Sequence, residues 1–235
     1  MIRRFAAALA LVCFFSVSLA RADEVVVPDK IISGDEIALQ DGRILRLAGI
    51  KAAAPETKQF LESIVPGHAL IVQNATTDRY GRTTAIVSIQ GAAQPLEDNL
   101  LSRGLAFVYP AATDEQLDHW CALERAARKD KLGFWSGQTD VAAEDAKTLV
   151  GKYGFVSGTV VKAERVKNKV YLDFGADWRS DFAIIIAAHD LRVFKKQGVD
   201  PLDLQGKKLR IRGWVTRTSG PRITVTDSHQ LELLP

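Results

Sequence analysis

The chain has 235 residues, 47% hydrophobic and 25% charged, with a formal net charge of +3. That length fits two small domains or one large one, and so small a charge excludes a protein that binds polyanions through bulk basicity alone. Two cysteines, Cys13 and Cys121, exclude the dense disulfide framework of a small secreted scaffold.

Residues 1–22 read as an export leader. Arg3 and Arg4 give the positive start, residues 5–19 are almost wholly apolar, and Ala20-Arg21-Ala22 offers a small-x-small cleavage site. The apolar run is shorter than the roughly 20 residues of a membrane span. The expectation is therefore a periplasmic or secreted product starting near Asp23, with no membrane attachment after cleavage. Cys13 falls in the leader, which leaves Cys121 alone, expected as a small buried apolar residue. The leader holds three arginines and no acid, so its removal takes the net charge to zero. Residues 23–150 carry 13 basic and 19 acidic side chains, whereas residues 151–235 carry 15 and 9. Such asymmetry suits either a polyanion surface on the rear half or two halves that attract each other.

Residues 25–50 alternate like a three-stranded meander, punctuated by Ser33-Gly34-Asp35 and Asp41-Gly42. Residues 55–65 put Phe60, Leu61, Ile64 and Val65 on one helical face, between Pro55-Glu56 and Pro66-Gly67. Two more strands, "HALIVQN" and "TTAIVSIQG", flank the turn "TTDRYGR"; helices are expected over 95–104 and 113–132. Five strands with three helices predict a small barrel packed by helices over 23–135, of the OB type. Residues 136–150, small and acidic, read as a linker. Residues 151–235 then give strand, strand, strand, helix, strand, strand, the order of a second OB-like barrel with a basic surface. The fold class is mainly β with α: two OB-like barrels, the first carrying three packed helices.

Four segments in the front barrel resemble, in order, those of the thermonuclease (staphylococcal nuclease) family: "SGDEIALQDGRILRLAGI", "DRYGRTTAIV", "LEDNLLSRGLAFVY" and "LERAARKDKLGFW". The resemblance implies a nuclease fold acting on nucleic acid by phosphodiester hydrolysis. In that family aspartates hold a calcium ion, two arginines grip the phosphate and a glutamate activates water. Calcium takes hard oxygen ligands, guanidinium forks match phosphate, and a positioned carboxylate accepts a proton. By position, Asp35 matches a metal-ligand aspartate, and Arg46 and Arg82 match the phosphate-gripping arginines. Asp78 is expected to order the "DRYGR" turn, and Tyr80 either stacks on a base or packs.

Two departures qualify the resemblance. A second metal-ligand aspartate is replaced by Lys51, whose ammonium cannot ligate calcium; it could instead pair with Asp35 and stand in as a phosphate-binding charge. Glu56 aligns with the catalytic glutamate only if two of the alanines at 52–54 are an insertion. Without that gap it is an acid in a first helical turn after a proline, stabilised by the helix dipole. The function then divides into a phosphodiesterase using Arg46, Arg82 and Glu56, a nucleic-acid-binding protein that has lost the cutting parts, or a protein-interaction scaffold.

In the rear half, aromatic and basic residues interleave: Tyr171, Phe174, Trp178, Phe182, then Lys207-Lys208-Leu209-Arg210-Ile211-Arg212-Gly213-Trp214. OB barrels hold single-stranded DNA or RNA with such aromatic faces and cationic grooves, which makes Tyr171, Trp178, Arg210, Arg212 and Trp214 candidate nucleic-acid contacts. The alternative is plain strand alternation, with Leu209 and Ile211 in the core and the cations in solvent. His189 and His229 lack metal-ligand spacing and are expected on the surface or in loops.

Overall fold

A computed structural model describes residues 23–110, 114–137, 139–177 and 179–235. The leader and Trp178 lie outside the described residues.

The first half begins with β1 (Glu24–Val26), β2 (Pro28–Ile31), β3 (Glu36–Leu39), β4 (Ile44–Leu47) and β5 (Ile50–Ala52), followed by α1 (Pro55–Ile64). It continues through β6 (Leu70–Thr77), β7 (Thr83–Ile89), α2 (Leu96–Ser102), β8 (Ala106–Val108) and α3 (Asp114–Lys129). The strand order is β1-β6-β7-β4-β3-β2. β1 and β2 are halves of one first strand broken at Val27, one pairing with β6 and the other with β3, so the sheet curls round on itself. β4 and β7 run parallel, a pairing that needs a crossover, and α1 with β6 supplies it. The inward residues of these strands, Ile37, Leu39, Leu45, Leu47, Leu70, Val72 and Val87, form one core with Leu61 of α1 and Leu100 and Leu101 of α2.

The second half opens with β9 (Asp140–Ala142), β10 (Tyr153–Thr159), β11 (Lys162–Val166), β12 (Lys169–Asp173) and β13 (Ala183–Ala187). It closes with α4 (Leu191–Lys196), β14 (Lys208–Arg217), β15 (Pro221–Thr224) and β16 (Leu231–Leu233). Its order, β11-β12-β13-β15-β14-β10-β9, repeats the first topology. β10 and β11 are again halves of a broken first strand, pairing with β14 and β12, and β13 and β15 are again parallel. Both halves thus curl as OB-type sheets. Leu209 and Ile211 are fully buried with Val170, Leu172, Ile184, Phe194 and Ile223 in a separate core.

Residues expected as a linker are folded. β9 pairs in parallel with β10, and a 3-10 turn over Ala143–Leu149 buries Ala143 and Ala146 in the second core. The two "motif" glycines of the first half also find their reason here. Gly104 (φ +67°) and Gly133 (φ +49°) are pressed together, so a Cβ on Gly104 would lie 2.2 Å from the Leu132 carbonyl oxygen. No other residue fits either position. That contact ties the end of α2 to the turn carrying Phe134 and Trp135, where the second barrel docks.

Candidate nucleic-acid interface

Three elements place the candidate site. The turn between β2 and β3 carries Asp35, whose Oδ1 accepts a hydrogen bond from the Ser33 hydroxyl at 2.9 Å. This turn sits tight against β5 and α1: a Cβ on Gly34 would come within 2.6 Å of Ala52 and 2.7 Å of Thr57. Thr57 is itself buried, its hydroxyl donating to the Leu105 carbonyl at 2.6 Å.

Arg46 lies on β4 directly opposite Glu36 of β3, and its guanidinium stands 4.0 Å from the Asp35 carboxylate. Arg82, entering β7, donates to Asp78 at 2.8 Å through Nε and also to Glu36. Glu36 therefore brings the two arginines to one patch: it accepts from Arg82 and is the ladder partner of Arg46. Both arginines keep about a quarter of their side chains exposed, 24% and 21%. Arg82 is held further into its charged form, chiefly by the Asp78 hydrogen bond, against the opposing effect of burial. Burial pushes the Asp78 carboxyl up, but hydrogen bonds from Arg82 and from backbone N–H groups outweigh it and hold the group below its usual range. Asp78 also accepts from the Tyr80 and Arg82 amides at 2.8 and 3.0 Å, the turn-ordering role expected for it. Tyr80 projects 67% exposed, with the guanidiniums of Arg79 and Arg82 4.8 and 5.0 Å from its ring centre. An exposed ring flanked by cations presents a stacking surface beside the arginine pair.

Lys51 lies on β5 opposite Phe107 and is partly exposed. Its expected pair with Asp35 does not form; among the described residues Lys51 has no ion pair within 4.0 Å. Glu56 occupies the first turn of α1, exposed, after Pro55 at the helix start. Its position is the one expected from a gap-free reading of "PETKQFLESIV".

The rear candidates are dispersed. Arg212 and Arg210 are not free cations, a correction to the expectation. Arg212 is 5% exposed and makes a two-pronged pair with Glu124 of α3, both contacts 2.7 Å, while also donating to the Val108 carbonyl at 3.0 Å. Burial pulls its pKa down, but the adjacent Glu124 charge outweighs this and raises it. Arg210 bonds Asp140 at 2.7 Å and Glu232 at 3.0 Å. Strand alternation accounts for the difference: residues 210 and 212 both point away from the second core, Arg212 reaching Glu124 of the first barrel and Arg210 pairing within the second half. His229 is likewise a joint and not a surface group, bridging Asp227 at 2.6 Å and Asp118 at 3.0 Å. Trp214 is 53% exposed and packs edge-on to Tyr153 beside this junction. Tyr171 lies elsewhere, on the open face of β12. Cys121 is buried as expected, and burial pushes its thiol up to about 11.

Arg46, Arg82 and the exposed Tyr80 thus lie around Glu36 on one patch of an OB-type barrel. Residues 46–137 match the family described as staphylococcal nuclease homologue. Protein ParB of Escherichia coli is 33% identical over 153 residues, covering 57% of this chain and 83% of that protein. An uncharacterized 38.1 kDa protein of Capnoides sempervirens is 32% identical over 117 residues, covering 46% of this chain and 33% of the other. The chain belongs to the staphylococcal nuclease homologue family, whose domain is that of nucleases and nucleic-acid-binding proteins.

Calcium is a plausible ion for a member of this family. The residues at the site do not fit it. Calcium takes six to eight oxygen ligands, yet among the described residues no three His, Cys, Asp or Glu side chains are grouped to hold a metal. Asp35 is engaged by Ser33 and Arg46, and Glu36 by Arg82.

Proposed function

We propose that this protein binds nucleic acid through Arg46 and Arg82 and does not cleave it by the calcium-dependent route of its family. The observation that carries the reading is Lys51, an ammonium where the family pattern has a ligand aspartate, with no carboxylate brought in to compensate. In this reading the arginines and Lys51 meet a phosphate, Tyr80 stacks on a neighbouring base, and Glu56 only complements the dipole in the first turn of α1. Arg82 exchanges Glu36 for the phosphate, a like-for-like swap of one oxyanion for another. Export also belongs to the proposal: residues 1–22 are removed and the product is periplasmic or secreted, checked by an intact mass beginning at Asp23 in the periplasmic or culture fraction.

The test is fluorescence anisotropy with labelled single-stranded DNA and RNA across a salt series, beside a cleavage assay with calcium or a chelator. Binding should fall linearly in log–log form, with a slope of roughly 0.7 per phosphate contacted. Arg82→Ala and Arg46→Ala should each lower that slope by about one contact. Substrate cleaved in calcium and intact in chelator would overturn the binding reading in favour of phosphodiester hydrolysis. Substrate neither bound at low salt nor cleaved would leave a protein-interaction scaffold.

A further inference from the structure

The open face of the second barrel carries a groove of about 480 Å³ across β11, β12, β13 and β15. Register makes its floor a transverse row: Lys162 pairs with Asp173, Asp173 with Ala183, and Ala183 with Arg222. Two positions along each strand, Tyr171 lies opposite Ile185. The intervening Val170, Leu172, Ile184 and Ile223 turn inward and are fully buried, so Asp173, Arg222 and Tyr171 share the outward side.

Two charges in this row lack partners. Asp173 is only 6% exposed, and among the described residues its carboxylate makes no hydrogen bond or ion pair. Burial pushes that carboxyl up and Glu164 adds to the effect, while Lys162 across the ladder opposes it. Arg222 has no ion pair among the described residues, and its Nε is buried without a hydrogen-bond partner. The acid and the base do not neutralise each other because β13 runs between them, placing their backbones about 10 Å apart. Ala183, the small residue on that strand, leaves the slot open. Partly buried polar groups without partners carry a desolvation cost that a complementary ligand removes. Tyr171 stacks on no other ring among the described residues and is partly exposed beside them.

We propose that this groove is a subsite for one nucleotide of a single strand: Tyr171 stacks on the base, Asp173 reads its pairing edge, and Arg222 takes a phosphate. The inference rests on the reading that the chain binds nucleic acid and adds a second place where it does so. A flat ring with an anion at one end and hydrogen-bond donors at the other matches the row of aromatic, cation and acid. Cytosine is preferred over thymine, because its exocyclic amine donates to a carboxylate oxygen, whereas thymine presents a carbonyl there.

The test compares labelled twelve-residue oligo-dC and oligo-dT on the full chain, with thermal melts confirming that each variant folds. Wild type should prefer oligo-dC by roughly tenfold. Asp173→Ala should abolish the preference with little change for oligo-dT, and Asp173→Asn, whose amide can donate to thymine's carbonyl as readily as it accepts from cytosine's amine, should reduce it. Tyr171→Ala should weaken both ligands by roughly tenfold, with Tyr171→Phe close to wild type. Arg222→Gln should lower the salt slope by about one contact. The paired front variant Arg46→Ala with Arg82→Ala should weaken both ligands equally and leave the preference untouched. Unaltered affinity, preference and slope in the Asp173→Ala, Tyr171→Ala and Arg222→Gln variants would overturn the subsite while front-barrel binding stands. No binding by wild type at low salt would overturn both.

Discussion

Glu36 is the residue on which the front site turns. It occupies the guanidinium that a phosphate would need, so it competes with the ligand while also drawing Arg82 toward Arg46. Glu36→Gln keeps the shape and removes the charge; anisotropy should show several-fold tighter binding of single-stranded DNA at low salt, with little change in melting temperature. A second acid sets a pH dependence. Glu97, at the start of α2, is wholly buried, its Oε2 accepting from the Val87 amide at 3.2 Å and its Oε1 left without a partner. Burial pushes this carboxyl up to about 8, only partly opposed by backbone hydrogen bonds. The folded protein therefore favours the protonated form, whereas the unfolded chain ionises in the ordinary carboxylate range. Stability from this group is complete below that range and is lost as pH rises toward 8. Glu97→Gln should flatten the loss, raising the melting temperature at pH 8 by several degrees relative to wild type and changing it little at pH 5.

Among the elements, the turn before β3 and the start of α1 act as one piece, because Gly34 fits where nothing larger can. Gly34→Ala forces its methyl against Ala52 and Thr57, a clash of the kind that costs about 1–3 kcal/mol. The expected result is a lower denaturation midpoint together with weaker nucleic-acid binding, since Asp35 and the Arg46 beside it must shift. This joint was half legible beforehand. Pro55, Glu56 and the apolar spacing of Leu61, Ile64 and Val65 announced α1 and its first turn, and period-two alternation announced the strands of both barrels. The inward side of β14 was legible too, in Leu209 and Ile211. What faced its other side was not: Arg212 meets Glu124 across 88 positions of sequence, and no local pattern encodes a partner so distant. The groove residues left a fainter trace: Tyr171 and Asp173 alternate with Val170 and Leu172, but no local pattern sets Arg222 beside them across β13. The segment 136–150 looked like a connector because small and acidic residues suit a loop; Ala143 and Ala146 are small because they pack against a core, and Asp140 is acidic because it meets Arg210.

For the whole molecule, the opposite charge of the two halves is partly consumed where they meet. Glu124 and Asp118 face Arg212 and His229, while Arg128 and Glu232 form the reverse pair at 2.5 Å. Around them Phe107, Phe134 and Trp135 pack on Tyr153 and Phe155, with Phe107 and Tyr153 stacked at 5.6 Å. Removing one member of a buried pair leaves an uncompensated charge and costs about 3–5 kcal/mol. Arg212→Leu should therefore lower stability by an amount of that order and split calorimetric unfolding into two transitions, one per barrel. Replacing Glu124 by Leu as well should recover part of the loss. The strand that joins the barrels, β9, is hydrogen-bonded into the second sheet, which holds the joining segment in place from Asp140 onward. A tether of that kind behaves as a ruler: an oligonucleotide too short to reach from Tyr80 to Tyr171 gains nothing from the far end, and one just long enough gains the full local concentration of the second contact at once. Affinity plotted against oligonucleotide length should consequently rise as a step, and Arg212→Leu should blur that step into a slope.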